Sequence, residues 1–163
     1  MPRLLSICTR PLAIVATVAS FLLVSAGALW AEAPTLSAPE AEERLATESF
    51  VLLDIRTPEE WSESGVAEGA WPVSMHTEDF PQRLQAILQH YRPDQIGLIC
   101  ATGSRSGYVA RVLEQNGLTG VADISEGMFG NPSGDGWIAR GLSVVSAEEA
   151  LARYENAQAS WSQ

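Results

Sequence analysis

The stretch Ile96-Gly97-Leu98-Ile99-Cys100-Ala101-Thr102-Gly103-Ser104-Arg105-Ser106-Gly107 changes character at its fifth residue. Its first four residues form an apolar run of the length a buried strand needs. A thiol follows at once, then small and hydroxylic residues around Gly103. Tyr108, Val109, Val112 and Leu113 then recur at helical spacing, and Asn116-Gly117 supplies an ordinary helix stop. A strand that turns tightly into a helix is the repeating unit of a parallel α/β sheet.

The flanks extend the same alternation. Phe50-Val51-Leu52-Leu53-Asp54 is a second apolar run, ending in an acid, and suits a strand buried on both faces. Thr57 as N-cap and Pro58 at the first helical position start a short helix over 58–63. Ser37 and Glu40 stand at capping-box spacing and open a helix over 39–47. Residues 66–73 read as a loop leading to a short edge strand. Phe80, Leu84, Ile87, Leu88 and Tyr91 mark an amphipathic helix over 78–91. Downstream come a strand at 120–124, a glycine-rich loop at 127–136, a helical turn at 137–140, a last strand at 142–145 and a closing helix at 147–154. Residues 157–163 read as a loose tail. The pattern implies an α/β sandwich of three layers, with a mainly parallel sheet of about five strands and helices on both faces. Trp61, Trp71 and Trp137 are expected to pack in the core or a pocket wall.

The first 31 residues stand apart from this domain, which spans 35–156. Arg3 and Arg10 are their only charges, and residues 11–31 are uncharged, ending in Ala26-Gly27-Ala28 and, with the next two residues, Ala31-Glu32-Ala33. That is the pattern of a secretory signal peptide with a cut near Ala28 or Ala31. An uncleaved anchor is the alternative, because about 20 apolar residues suffice to cross a bilayer. Either way the domain is expected outside the cytoplasm, in a periplasmic-type compartment, touching membrane only if the leader is retained.

The 163-residue chain has a net charge of −10, contains no Lys, and past Ala33 sets 8 Arg against 19 acidic residues. Such a body disfavours nucleic acid and anionic membranes, so any anion site must rely on local groups. His76 and His90 lie apart, with no carboxylate or cysteine at the spacing of a metal-ligand motif, so neither a metal nor a cofactor is implied. Cys8 falls in the leader, which leaves Cys100 as the domain's single thiol, with no partner for a disulfide.

Cys100 sits where ligands bind in open parallel sheets, beyond the carboxyl end of a strand. The loop after it can curl so that several N–H groups face inward at the positive end of a helix, forming an anion nest. Gly103 permits the turn, and a thiolate held there is stabilised.

Cys100-x-x-Gly103-x-Arg105-Ser106 resembles the active-site loop of the rhodanese (thiosulfate sulfurtransferase) family. Leu52-Leu-Asp54-Ile-Arg56-Thr-Pro-Glu59-Glu60-Trp61, followed by Gly65-Val-Ala-Glu-Gly-Ala70, resembles its earlier signature. Glu126-Gly127 to Trp137 and then Gly141-Leu-Ser-Val144 resemble the segment that closes the fold. The likeness runs from Leu36 to Glu155. It implies a rhodanese-like fold and a double displacement in which Cys100 is the nucleophile. A small sulfur-containing anion such as thiosulfate is the donor. Cyanide, a thiol or a sulfur-accepting protein is the acceptor. Ala101, Thr102, Gly103, Ser104 and Arg105 are expected to bind the transferred group, with Asp54, Arg56 and Ser106 in support. Arg56 is expected to pair with Glu60, and Arg105 either positions the loop or neutralises donor oxygens. Four residues between Cys100 and Arg105 match the sulfurtransferase loop, one fewer than in the phosphatase branch. Two positions depart from the family pattern: Ala101 replaces a frequent basic residue, and Val66 replaces a histidine. The alternatives are a sulfur-carrier or protein-binding module with little turnover, and a redox-sensing thiol.

Overall fold

The computed structural model describes residues 32–47 and 49–161. The leader, apart from Glu32 and Ala33 of its second cleavage signal, lies outside them, as does Cys8. Five strands form one sheet: β1 (Thr35–Leu36), β2 (Val51–Asp54), β4 (Trp71–Pro72), β5 (Ile96–Ile99) and β6 (Ala122–Ile124). Their spatial order is β1-β6-β5-β2-β4, and every pairing is parallel. The two remaining strands, β3 (Val66–Ala67) and β7 (Val144–Val145), make a separate antiparallel ribbon. The strand expected at 142–145 is therefore shorter and belongs to this ribbon. Glu68 N–H and the Trp137 indole both donate to the Ser143 carbonyl, at 2.9 and 2.8 Å, and draw the segment to residues 66–68. Neither β1 nor the split of 66–73 into β3 and β4 was legible, since two-residue strands are too short to show a period.

The helices are α1 (Ala38–Leu45), α2 (Pro58–Ser64), α3 (Phe80–His90), α4 (Ser104–Gln115), α5 (Gly136–Ala139) and α6 (Ala147–Trp161). The expected capping box at Ser37 forms, and Thr57 makes a second one. Ser37 N–H donates to Glu40 Oε2 at 2.8 Å, and Thr57 N–H to Glu60 Oε2 at 3.0 Å. Helix α6 runs through Trp161, so residues 157–161 are helical rather than a loose tail. Trp161 packs on Trp71 and Tyr154 with ring centres 5.8 and 6.4 Å apart, and His90 stacks on it at 4.7 Å. That aromatic cluster holds the last turns down. Among the described residues no helix is long and apolar enough to cross a membrane.

Both sheet faces are covered, and side chains divide between them with period two. Leu52, Ile99, Ala122 and Ile124 face one apolar cluster with Ala38, Ala41 and Trp137. Val51, Leu53, Ile96, Leu98 and Cys100 face the other, with Ile87 of α3 and Val109 and Leu113 of α4. Each fully buried Leu or Ile here contributes about 1.5–3 kcal/mol. The alternation decides where the thiol goes. Cys100 continues the Ile96, Leu98 series and lies beneath the start of α4.

Candidate active site

Residue 100 follows the last residue of β5, and 1% of Cys100 is exposed. Apolar core packs on one side of it. On the other, the Ser106 hydroxyl donates to Cys100 Sγ at 3.3 Å and lies 3.2 Å from the Gly103 carbonyl. Gly103 is the N-cap of α4 with φ +80°, a left-handed conformation that favours glycine. A Cβ at this position would stand 2.0 Å from the Ser125 carbonyl oxygen. No other residue type fits there without displacing the neighbouring loop.

The loop between β5 and α4 is held by its carbonyls. Met128 N–H donates to the Cys100 carbonyl and Phe129 N–H to the Ala101 carbonyl, both at 2.9 Å. Asn131 Nδ2 donates to the Thr102 carbonyl at 2.7 Å and to the Ser125 carbonyl at 2.6 Å. A trans peptide places C=O and N–H on opposite sides. With three successive carbonyls turned to residues 128–131, the amides of Ala101, Thr102 and Gly103 project away from that segment. The first bond of α4 is Gly107 N–H to the Gly103 carbonyl, at 2.9 Å. The amides of Ser104, Arg105 and Ser106 precede it and stand at the open, positive end of the helix. Six consecutive amides are thus free of the helical ladder. The Ser106 side chain donates to the sulfur, and the Arg105 guanidinium lies close enough to Cys100 to be influenced by it.

The glycine-rich loop that does the holding is itself anchored. Glu126, 2% exposed, accepts from Gly136 N–H at 2.9 Å and from Arg140 Nε at 2.7 Å. Arg140 and the Gly136 amide keep its carboxyl below the usual range against the effect of burial.

Asp54 and Arg56 lie at the end of the neighbouring strand, both fully buried. Arg56 donates through Nε and NH2 to the Asp54 carboxylate at 2.9 and 2.7 Å. Its remaining N–H groups reach Ser64 Oγ at 2.7 Å and the Gly65 and Glu60 carbonyls at 2.6 and 3.3 Å. Burial pushes the Asp54 carboxyl up, and the Arg56 bonds oppose that. Arg56 therefore meets Glu60 only at its backbone, and the expected Arg56–Glu60 ion pair is corrected. The reason is local. The capping box turns the Glu60 carboxylate back over the start of α2, away from the buried guanidinium.

That carboxylate instead takes both NH groups of Arg105, NH1 to Oε2 at 2.8 Å and NH2 to Oε1 at 2.6 Å. About a quarter of each side chain is exposed. Arg105 holds the Glu60 carboxyl down to about 2, aided by Thr57 and opposed by burial. Glu60, and to a lesser degree Cys100, raises the Arg105 guanidinium above its ordinary value, again against burial. His76 Nε2 lies 3.2 Å from Arg105 NH1. Sequence reasoning assigned His76 no role and carried no signal for this contact. It arises because β4 pairs with β2, so that Val73 N–H and Met75 N–H donate to the Asp54 and Ile55 carbonyls. Phe129, half exposed, completes the mouth, its ring centre 5.9 Å from the Arg56 guanidinium carbon.

Asp123 of β6 is a further residue the sequence did not single out. It faces α4 and is 8% exposed, and its Oδ1 has no partner among the described residues. Burial raises its carboxyl, opposed by Ser106 and Arg111. Among the described residues no group of three His, Cys, Asp or Glu side chains is placed to hold a metal ion.

The thiol, pinned loop and buried Asp–Arg pair thus occupy one end of a parallel sheet. The profile of the rhodanese-like domain family matches residues 37–130. No curated protein matches the chain. Among solved structures, it resembles Rv0390 from M. tuberculosis with 23% identity and a TM-score of 0.54, over 72% of this chain and 100% of that one. It also resembles a rhodanese-like domain protein from Staphylococcus aureus, with 25% identity and a TM-score of 0.49, over 69% of this chain and 99% of that one. A third likeness is RPA3614 from Rhodopseudomonas palustris, described as a "possible tyrosine phosphatase", with 25% identity and a TM-score of 0.47, over 69% and 85% of the two chains. The family profile covers more than half of the sequence and includes both the Asp54–Trp61 signature and the Cys100 loop. The chain belongs to the rhodanese-like domain family.

Proposed function

We propose that this protein is a sulfurtransferase that moves a sulfane sulfur through a persulfide on Cys100. The observation that carries the reading is the loop whose three carbonyls are held back, leaving its amides to receive an anion above the thiol. In the first half-reaction the thiolate attacks the outer sulfur of a donor such as thiosulfate. An S–S bond to Cys100 forms, the donor's S–S bond breaks, and sulfite leaves with the electron pair. The amides of Ala101 to Arg105 then cradle the outer sulfur. Cyanide, a thiol or an acceptor protein attacks that sulfur, and Cys100 leaves as the thiolate. Ser106 donates to the cysteine sulfur, while Asp54 and Arg56 brace the floor of the site. The four-residue spacing from Cys100 to Arg105 favours sulfur over a phosphoryl group. The composition of the first 31 residues supports export, with the reaction carried out in a periplasmic-type compartment.

A second reading is a sulfur-carrier module with little turnover. The near-complete burial of Cys100 and the occupied guanidinium of Arg105 favour it. Steady-state transfer from thiosulfate to cyanide separates the two. Saturable, ping-pong turnover that disappears in Cys100→Ser is the expected result. Turnover that survives this substitution, or is absent with every donor, would overturn the enzyme.

A further inference from the structure

We infer that Glu60 sets the charge class of the sulfur donor, by occupying Arg105 and so selecting against dianions. This rests on the sulfurtransferase reading and names its donor. The cations within reach of Cys100 are accounted for. Arg56 is fully buried and its N–H groups are all bonded. Arg105 gives both NH groups to one carboxylate, at 2.8 and 2.6 Å. Residue 101 is Ala and brings no charge, and the chain as a whole carries −10. The loop therefore offers backbone amides and one helix end, and the guanidinium beside them, that of Arg105, has its charge already paired with Glu60.

Amides and a helix end act as partial charges and suit a singly charged sulfur terminus. A dianion needs a full countercharge, which Glu60 has already taken. The preferred donor is accordingly a thiosulfonate or an organic persulfide, with at most one charge on the reacting group, and thiosulfate is a slower one. For a thiosulfonate, the Cys100 thiolate attacks the outer sulfur of R–SO2–S−. The Cys100 S–S bond forms, the donor's S–S bond breaks, and the sulfinate R–SO2− leaves with the electron pair. For a persulfide, R–S–SH gives Cys100–S–SH, and R–S− leaves.

The test compares two probes of like chemistry that differ by one charge, thiosulfate and the methanethiosulfonate anion. The readout is the second-order rate at which Cys100 of the full domain gains sulfur, followed by intact mass. Wild type is expected to load from methanethiosulfonate at least ~10-fold faster than from thiosulfate. Glu60→Gln frees the Arg105 fork yet keeps an oxygen for the Thr57 capping box, so the fold is retained. It should raise the thiosulfate rate ~10-fold and move the methanethiosulfonate rate less than ~3-fold. Glu59→Gln removes the same formal charge from an exposed neighbour on α2 that does not bond Arg105. It should leave the ratio unchanged. An unaltered ratio in Glu60→Gln, an equal change in Glu59→Gln, or a wild type indifferent to donor charge would overturn the clamp while leaving sulfur transfer intact. No loading from either probe or from a small organic persulfide, in wild type or Glu60→Gln, would overturn sulfur transfer itself.

Discussion

Replacing Gly103 by Ala tests the geometry of the loop through two separable costs. The first is conformational. An L-residue at φ +80° loses about 1–2 kcal/mol relative to glycine. The second is steric. The new Cβ would lie 2.0 Å from the Ser125 carbonyl oxygen, where ordinary contact needs about 3.4 Å or more, so the segment after β6 must move by more than 1 Å. That segment supplies the three bonds to the carbonyls of residues 100 to 102, each contributing ~1 kcal/mol net. Partial loss of them brings the total to about 3–5 kcal/mol. Gly141→Ala is the matched control, because Gly141 has φ +74° and nothing within 4 Å of an added Cβ. It should lose only the first term. Urea unfolding of both variants gives the stabilities, and the rate of sulfur loading on Cys100 gives the consequence for the loop. Once its carbonyls are released, the amides lose their fixed direction, and loading in Gly103→Ala should slow by ~10-fold or more. Equal destabilisation of the two variants, or an unchanged loading rate in Gly103→Ala, would refute the reasoning.

Asp123→Asn should stabilise the protein by ~1 kcal/mol at neutral pH, since it removes a buried carboxylate with an unpartnered oxygen. Burial raises this carboxyl in the fold, so the penalty is absent below the unfolded value near 3.8 and grows as pH rises through the folded one. The gain should accordingly shrink in acid, and a gain independent of pH would contradict the assignment. The Glu60–Arg105 pair has the opposite sign. With the Glu60 carboxyl held at about 2 against an ordinary 4.5, its stabilisation is present above the unfolded value and lost as pH falls towards 2. The displacement corresponds to at most ~3 kcal/mol, and solvent screening at a quarter-exposed pair reduces it to ~1–2 kcal/mol. Urea midpoints of wild type and Glu60→Gln should therefore differ at pH 7 and converge only as pH falls to about 2, whereas parallel curves would exclude the pair as a source of stability.

The long elements and the position of the thiol were legible in the sequence because each carries a local signal. Leu98 and Cys100 share a face by strand periodicity, Ser37 announces its helix three residues ahead of Glu40, and Thr57 does so one residue ahead of Pro58. What escaped the sequence depends on pairing between distant segments. His76 reaches Arg105 because β4 lies beside β2, and Glu60 meets Arg105 rather than Arg56 because two loops converge at the end of the sheet. The anchoring role of residues 128–131 is equally long-range, being carried by backbone N–H groups and one asparagine that leave no mark on composition. Helix α6 outran its expected end because Trp161 finds aromatic partners in Trp71 of β4 and in His90 and Tyr91 at the end of α3.

Intact mass spectrometry of the protein after brief exposure to a sulfane donor reads the chemistry of Cys100 without an acceptor or a coupled assay. A gain of about one sulfur atom, ~32 Da, is expected on wild type, reversed by cyanide and absent in Cys100→Ser. An unchanged mass with thiosulfate, thiosulfonate and persulfide alike, or a gain that persists in Cys100→Ser, would contradict a persulfide on this thiol.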